Sequence, residues 1–327
     1  MAGPIDSLAT FFEYATEGRT EIERDYREIF NAGSGNTINH IVRPAAGDYK
    51  YTNIPAKIPD LFDNVDVYAD AAVTAVDYKT IQEVEVKVGY GSKPVKLARL
   101  ALQWMGLSDA EAGTHWGTQA AVAKNFVMQK NVINALVGAM TNITSRVVNN
   151  QGTTANNANK LTLEMLLDAT SKFGADYEAG LSGIIMHSKP FFDFQKSNLS
   201  ANKELFDYPG LFRKADPRGI PMIVIDNPNL TYQHNSLTKY RTLFLTSNAA
   251  TIYDDGNYFE HMDTSNGRTL IQSTIQAQGT YNIKIKGCAW ASNTIKSPTL
   301  AQIGVSSNWT QLATDVKDTP GTLLLTQ

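Results

Sequence analysis

The sequence predicts an α+β protein with long appendages, and three features of the chain carry that prediction. Capped helical segments stand beside short strands of period two. Several of those strands are apolar on one face only, which leaves the other face for solvent or a partner. Residues 32–64 form a long irregular stretch in which Gly33, Gly35, Pro44, Gly47, Pro55 and Pro59 break any period.

Residues 6–31 read as a helix. Leu8, Phe11, Phe12 and Ala15 form one apolar stripe, and Ile22, Tyr26, Ile29 and Phe30 form a second beyond Gly18. Six acids and three arginines lie between Glu13 and Glu28, a solvated or partner-facing side. The irregular stretch that follows is too long for a connector inside a compact domain and suits an arm lying across another chain. Residues 1–45 are therefore expected to contact neighbouring copies more than their own core.

Residues 65–100 are strand-rich. Glu83-Val84-Glu85-Val86-Lys87-Val88 alternates charge and valine without a break, and Gly89-Tyr90-Gly91-Ser92 then turns or bends it. Such a ribbon cannot bury both faces alone. Val84, Val86 and Val88 are expected to face an adjacent subunit, with Glu83, Glu85 and Lys87 toward solvent or a charged partner surface.

Ser108 and Glu111 have capping-box spacing, so a long helix is expected from there to Met140. Phe126, Lys130, Ile133, Leu136, Val137 and Met140 place mostly apolar side chains along one stripe of it. Residues 149–159 lack charged and large apolar side chains and read as an exposed loop. Leu161–Phe173 reads as a second helix capped by Thr162, with Leu163, Leu166, Leu167, Thr170 and Phe173 inward. From Ile184 to Ala250 short apolar strands alternate with a third helix, capped by Ser188 and carrying Pro190 in its first turn. Phe191, Phe194 and Leu199 give that helix its apolar side. Two strands are expected at 269–276 and 281–291 around Gly279, and TLLLT closes the chain as another.

Composition narrows the function. Twenty-nine basic against 32 acidic residues give a net charge of −3, which argues against a sequence-independent nucleic-acid binder. A single cysteine, Cys288, excludes an intrachain disulfide framework and fits a reducing compartment. The N-terminus lacks the pattern of a signal peptide, and no run approaches the ~18 apolar residues of a membrane span.

No residue set in the sequence is equipped for an assignable chemistry. None of His40, His115, His187, His234 and His261 is paired at metal-ligand spacing. Gly89-Tyr90-Gly91-Ser92-Lys93 is neither a P-loop nor a dinucleotide loop, and Pro94 halts any helix there. Gly180-Leu181-Ser182-Gly183 is not a nucleophile elbow, and Asp254-Asp255-Gly256-Asn257 reads as a turn rather than a calcium loop. Catalytic, cofactor and metal sites are therefore all read as none, and the chain as no enzyme.

The order of these elements, from the EVEVKV ribbon through the Ser108 helix to SPTLAQIGVSSNWTQLATD, resembles the major capsid proteins of tailed double-stranded-DNA bacteriophages. The Pro-Thr and later Asn-Trp of that last segment are similar to one capsid subgroup. The resemblance implies the Hong Kong 97 phage-type capsid fold: N-terminal arm, extended β-hairpin loop, peripheral domain with a long spine helix, and axial domain. It places the arm at 1–45 and the extended loop at 62–100. The peripheral domain falls at 46–61, 101–160 and 265–296, with its spine helix at about 108–140, and the axial domain at 161–264 and 297–327.

It further implies pentamers and hexamers in an icosahedral shell around double-stranded DNA, held without sequence-specific binding. A separate scaffolding protein and a portal are the expected partners, with a decoration protein left open. No membrane is implied, and the expected location is the virion, assembled in the host cytoplasm. The residues expected at contacts between subunits are Phe11, Phe12, Tyr26, Val84, Val86 and Val88. The rival readings are an encapsulin-like nanocompartment shell and an α/β enzyme with an unrecognised site.

Overall fold

Two long helices set the frame of the computed structural model, which describes residues 8–44, 47–55, 77, 80–98, 104–150, 152, 159–173, 180–201, 220–265, 272–292, 294–313 and 318–327. The first, α1, spans Leu8–Gly33. The second, α2, spans Asp109–Asn142, 34 residues and about 50 Å at the usual rise. Its start is the expected capping box: Ser108 Oγ accepts from the Glu111 N–H, and the Glu111 carboxylate accepts from the Ser108 N–H at 2.8 Å. Every residue from Asn131 to Met140 is buried, so this half of the helix runs through the interior and not along a surface. Phe126, expected on the inward stripe, is exposed instead, and Asn131 and Asn134 are inside. Side-chain hydrogen bonds make that burial affordable: Asn131 donates to the Tyr281 hydroxyl and Asn134 to the Leu300 carbonyl.

Sheet A packs on α2. It consists of β1 (Ile38–Val42), β2 (Tyr49–Pro55), β3 (Thr80–Gly91), β10 (Ala250–Ser265) and β11 (Gln272–Ile285), in the order β1-β10-β11-β3-β2, with β4 (Val95–Ala98) also on β11. All its pairings are antiparallel except β1 with β10. Three expectations are corrected here. The irregular stretch contains two strands, and β2 is the second limb of the ribbon, so the hairpin begins at Tyr49 and not at residue 62. The strands expected on either side of Gly279 are one continuous β11, with Gly279 crossed by the Tyr90 ring: a Cβ there would lie 2.4 Å from the Tyr90 hydroxyl. Strand β10 belongs to this sheet, although 161–264 was expected to form the axial domain.

Sheet B holds β5 (Val147–Asn149), β6 (Leu181–Met186), β7 (Met222–Val224), β9 (Leu237–Thr246) and β14 (Gly321–Thr326) in the order β5-β14-β9-β6-β7, with β8 (Thr231–His234) on β9. The TLLLT run is β14, and Leu323 and Leu324 are buried in different cores, one on each side of the sheet. Helices α3 (Leu163–Ser171) and α4 (Ser188–Ala201) accompany this sheet. Leu166 and Ala169 of α3 join Phe191 and Phe194 of α4 in the second core. Leu163 and Leu167, expected inward, are exposed. Thr162 caps α3 as expected, but at α4 His187 serves instead of Ser188: its Nδ1 accepts the Lys189 N–H at 3.2 Å. The loop expected at 149–159 and the side chain of Leu199 lie largely outside the described residues.

Candidate assembly surfaces

The segment expected to reach across a neighbour lies, over its described residues, on its own chain. Helix α1 crosses α2 where Gly113 and Gly117 leave the α2 surface bare. A Cβ at Gly113 would stand 2.5 Å from the Phe11 carbonyl oxygen, and one at Gly117 2.1 Å from that of Ala15. Backbone therefore rests on backbone, and the two helices cannot approach this way with alanine in either place. Phe11 and Ala15 are buried beside Ala112, Met262 and Ile275, with Phe12 partly buried alongside. Phe11 is thus an internal packing residue and not the contact between subunits that its stripe suggested. The Tyr26 side chain lies outside the described residues.

Further along the seam the packing becomes ionic. Lys124 Nζ lies 3.1 Å from Glu23 Oε1 on α1 and 2.7 Å from Asp254 Oδ2 on β10. His40 Nε2, on β1, stands 3.9 Å from the same Asp254 oxygen, too long for a hydrogen bond in itself. Burial alone would raise the Asp254 pKa, but the His40 imidazole and the Lys124 ammonium, with the Gly256 N–H, hold it well below the usual carboxylate range. The Asp254-Asp255-Gly256-Asn257 run is not the turn expected: it sits within β10 where the register against β11 shifts, with Gly256 at φ +69°. This is a bulge, and it turns Asp254 toward Lys124 while Asp255 pairs with Lys87 at 3.3 Å.

The ribbon is likewise built into the chain. Val86 and Val88 are 0% and 2% exposed in the main core, where they pair across the sheet with Ile283 and Tyr281. Val84 is partly buried against the same core. The expectation that the valines face an adjacent subunit is corrected for Val86 and Val88, and so is the solvated face assigned to Glu83 and Glu85. Glu85 is 1% exposed and pairs with Arg43 at 2.5 Å; Glu83 pairs with Lys284, also at 2.5 Å. Cross-strand ion pairs cover the second face, with the Arg43 guanidinium 3.5 Å above the Tyr253 ring. The large apolar side chains left exposed include Trp104, Met105, Phe126, Phe192 and Phe259, none of which the hydrophobic pattern separates from core positions.

The C-terminal segment wraps α2, which gives its Pro-Thr and Asn-Trp residues a physical role. Thr299 and Gln302 form a capping box at the short helix α5 (Leu300–Ile303), which lies against Gly138. Asn308 Nδ2 donates to the Gln302 carbonyl at 2.9 Å and Trp309 Nε1 to that of Ile303 at 2.8 Å. The Trp309 ring meets Trp290 edge-on at 5.2 Å where β12 (Cys288–Trp290) pairs with β13 (Trp309–Gln311). Residues 299–311 are therefore a clasp on the spine helix, not part of sheet B.

Among the described residues no group of three His, Cys, Asp or Glu side chains is placed to hold a metal ion. Cys288 is buried, and burial pushes its thiol up to about 12, far from a reactive thiolate. His187 is absorbed by its capping bond and a tilted ring contact with Tyr240 at 5.3 Å. No helix among these residues is long and apolar enough to cross a membrane.

The comparisons agree with this architecture. No curated protein matches the sequence. Solved structures do resemble the fold: the cyanophage Pam1 capsid asymmetric unit, 9% identical, covers 88% of each chain with a TM-score of 0.54. The head of Helicobacter pylori bacteriophage KHP40, also 9% identical, covers 90% of this chain and 88% of its own with a TM-score of 0.53. The capsid of Ralstonia phage GP4, 10% identical, covers 90% and 87% with a TM-score of 0.52. At such identities these matches show the fold, which is the Hong Kong 97 type. Family membership follows from a family model, described as major capsid protein 13-like, that matches residues 7–323. The chain belongs to that family of phage major capsid proteins.

Proposed function

We propose that copies of this chain close, as pentamers and hexamers, into an icosahedral shell around the double-stranded DNA of a tailed phage. The family match over nearly the whole chain carries the reading, and the fold is consistent with it. Sheet B with α3 and α4 takes the axial role around the symmetry axes. Helix α2, the C-terminal clasp and most of sheet A form the peripheral domain, and the β2–β3 hairpin forms the extended loop. Of the six contact residues expected from sequence, Phe12 and Val84 keep some exposed surface for such a role.

The shell works without catalysis. A separate scaffolding protein and a portal complete the assembly in the host cytoplasm, with room for a decoration protein, and the product is the virion capsid. Its inner wall confines DNA without gripping it. With 29 basic and 32 acidic residues, free subunits bind DNA weakly and lose that binding steeply with salt. Negative-stain electron microscopy and sedimentation of the full chain, with and without a co-expressed scaffolding protein, test the reading. Closed shells or ring-shaped capsomers support it. A monomer under both conditions contradicts it, and shells that co-purify with an enzyme cargo point to a nanocompartment instead.

A further inference from the structure

Strand β1 is an outer strand of sheet A, and side chains of the α1 end close its free side. Ala250 donates its N–H to the Thr37 carbonyl, and Arg43 donates its own to the Asp254 carbonyl. Backbone groups alternate along this parallel ladder, so Asn39 and Ile41 turn theirs to β10 while Ile38, His40 and Val42 turn theirs outward. An outward row of this kind is a template for another strand.

The end of α1 lies on that row. Asn31 Oδ1 accepts the His40 N–H at 2.8 Å, and Asn31 Nδ2 donates to the His40 carbonyl at 3.2 Å. Ser34, one residue beyond the helix, donates its hydroxyl to the Ile38 carbonyl at 3.0 Å. The Asn31 amide carries one acceptor and donor N–H groups, which is what a residue of an added strand would offer. It thus satisfies both outward groups of His40 as a strand would, without presenting a new backbone edge. Asparagine is among the weaker helix formers, so its gain at this position is the edge contact. Val42, the next outward residue, has no such cover among the described residues and is 47% exposed.

We propose that Asn31 and Ser34 make α1 an edge guard, which keeps sheet A of a free subunit from adding an extended strand of a second copy. The helix seated at the Gly113–Gly117 seam therefore also decides whether this sheet edge is open. The guard concerns the unassembled subunit and stands apart from the shell reading.

Hydrogen exchange on the unsubstituted full-length chain is the first test. The His40 amide should exchange about ten-fold more slowly than that of Val42, the factor given by one net hydrogen bond of about 1.4 kcal/mol. Equal rates would overturn the guard. The second test is sedimentation velocity, under conditions where the unsubstituted chain stays unassembled. Asn31→Leu keeps a side chain of similar size and removes both bonds to His40. It should keep the circular dichroism of the unsubstituted chain and associate as concentration rises. Adding Val42→Pro, which takes an outward donor from the edge, should reverse that association. An Asn31→Leu chain that sediments like the unsubstituted one, or association that Val42→Pro leaves in place, contradicts the proposal. The exchange comparison needs no variant, so it decides the matter even where Asn31→Leu fails to fold.

Discussion

Lys124 of the spine helix and Asp254 of strand β10 stand 2.7 Å apart, both almost fully buried, and Glu23 of α1 closes on the same ammonium at 3.1 Å. One cation thus ties the N-terminal helix, the spine and the sheet at a single point. A buried pair of this kind contributes little beyond a good apolar replacement, but losing one partner strands the other.

Lys124→Met leaves Asp254 without its main counter-charge in the interior. The expected cost is about 3–5 kcal/mol of subunit stability, read as a lower urea midpoint at neutral pH. Lys124→Met together with Asp254→Asn should recover part of that loss, and failure of the double variant to recover any would contradict the cluster as drawn.

The pH dependence has a definite sign. The Asp254 carboxyl is held below its ordinary unfolded value of about 3.9, so the folded state binds fewer protons there than the unfolded chain. That contribution is fully present above about pH 4 and is lost as pH falls toward the depressed folded value. Urea titrations between neutral and strongly acidic pH should show it, and Asp254→Asn should flatten the acid limb. An unchanged acid limb in Asp254→Asn would argue against the depressed carboxyl.

The helix seam makes a prediction about two glycines. Gly117→Ala would drive a Cβ to 2.1 Å from the Ala15 carbonyl oxygen, a rigid backbone neighbour, so α1 must lift. A loss of about 1–3 kcal/mol or more is expected, together with faster proteolysis within residues 8–33. Gly33→Ala, with nothing within 4 Å of its Cβ position, should be neutral or stabilising by up to about 1 kcal/mol.

How much of this was legible follows from how local each cause is. Ser108 with Glu111, and Thr162, announce helices because a cap and its bond lie within one turn. Glu83 and Glu85 read as solvated because their partners Lys284 and Arg43 are remote in sequence and meet them only across the folded sheet. Strand β2 escaped notice for the same reason: its partner β3 begins after Pro55 and a long intervening segment, and its own burial alternates weakly. Gly113 and Gly117 have the low helix propensity of any glycine, yet their bareness is what lets α1 dock. The order of elements was legible, and with it the family. The assignment of valines and Phe11 to contacts between subunits was not, since an apolar stripe looks the same whether its cover comes from the same chain or another.

Val86 decides to which of these the ribbon belongs. With its side chain 0% exposed in the main core, Val86→Asp should place an unpaired charge inside the subunit and cost more than about 4 kcal/mol, unfolding the free chain. A variant subunit that folds normally and fails only in assembly would return the ribbon to the interface.

The most direct measurement of the central claim is electron cryomicroscopy of particles formed by the full-length chain. Closed icosahedral shells are expected, whose subunits each carry α1 on their own spine helix at the Gly113–Gly117 seam. A purified chain that remains a monomer at high concentration, alone and with scaffolding protein, would contradict it.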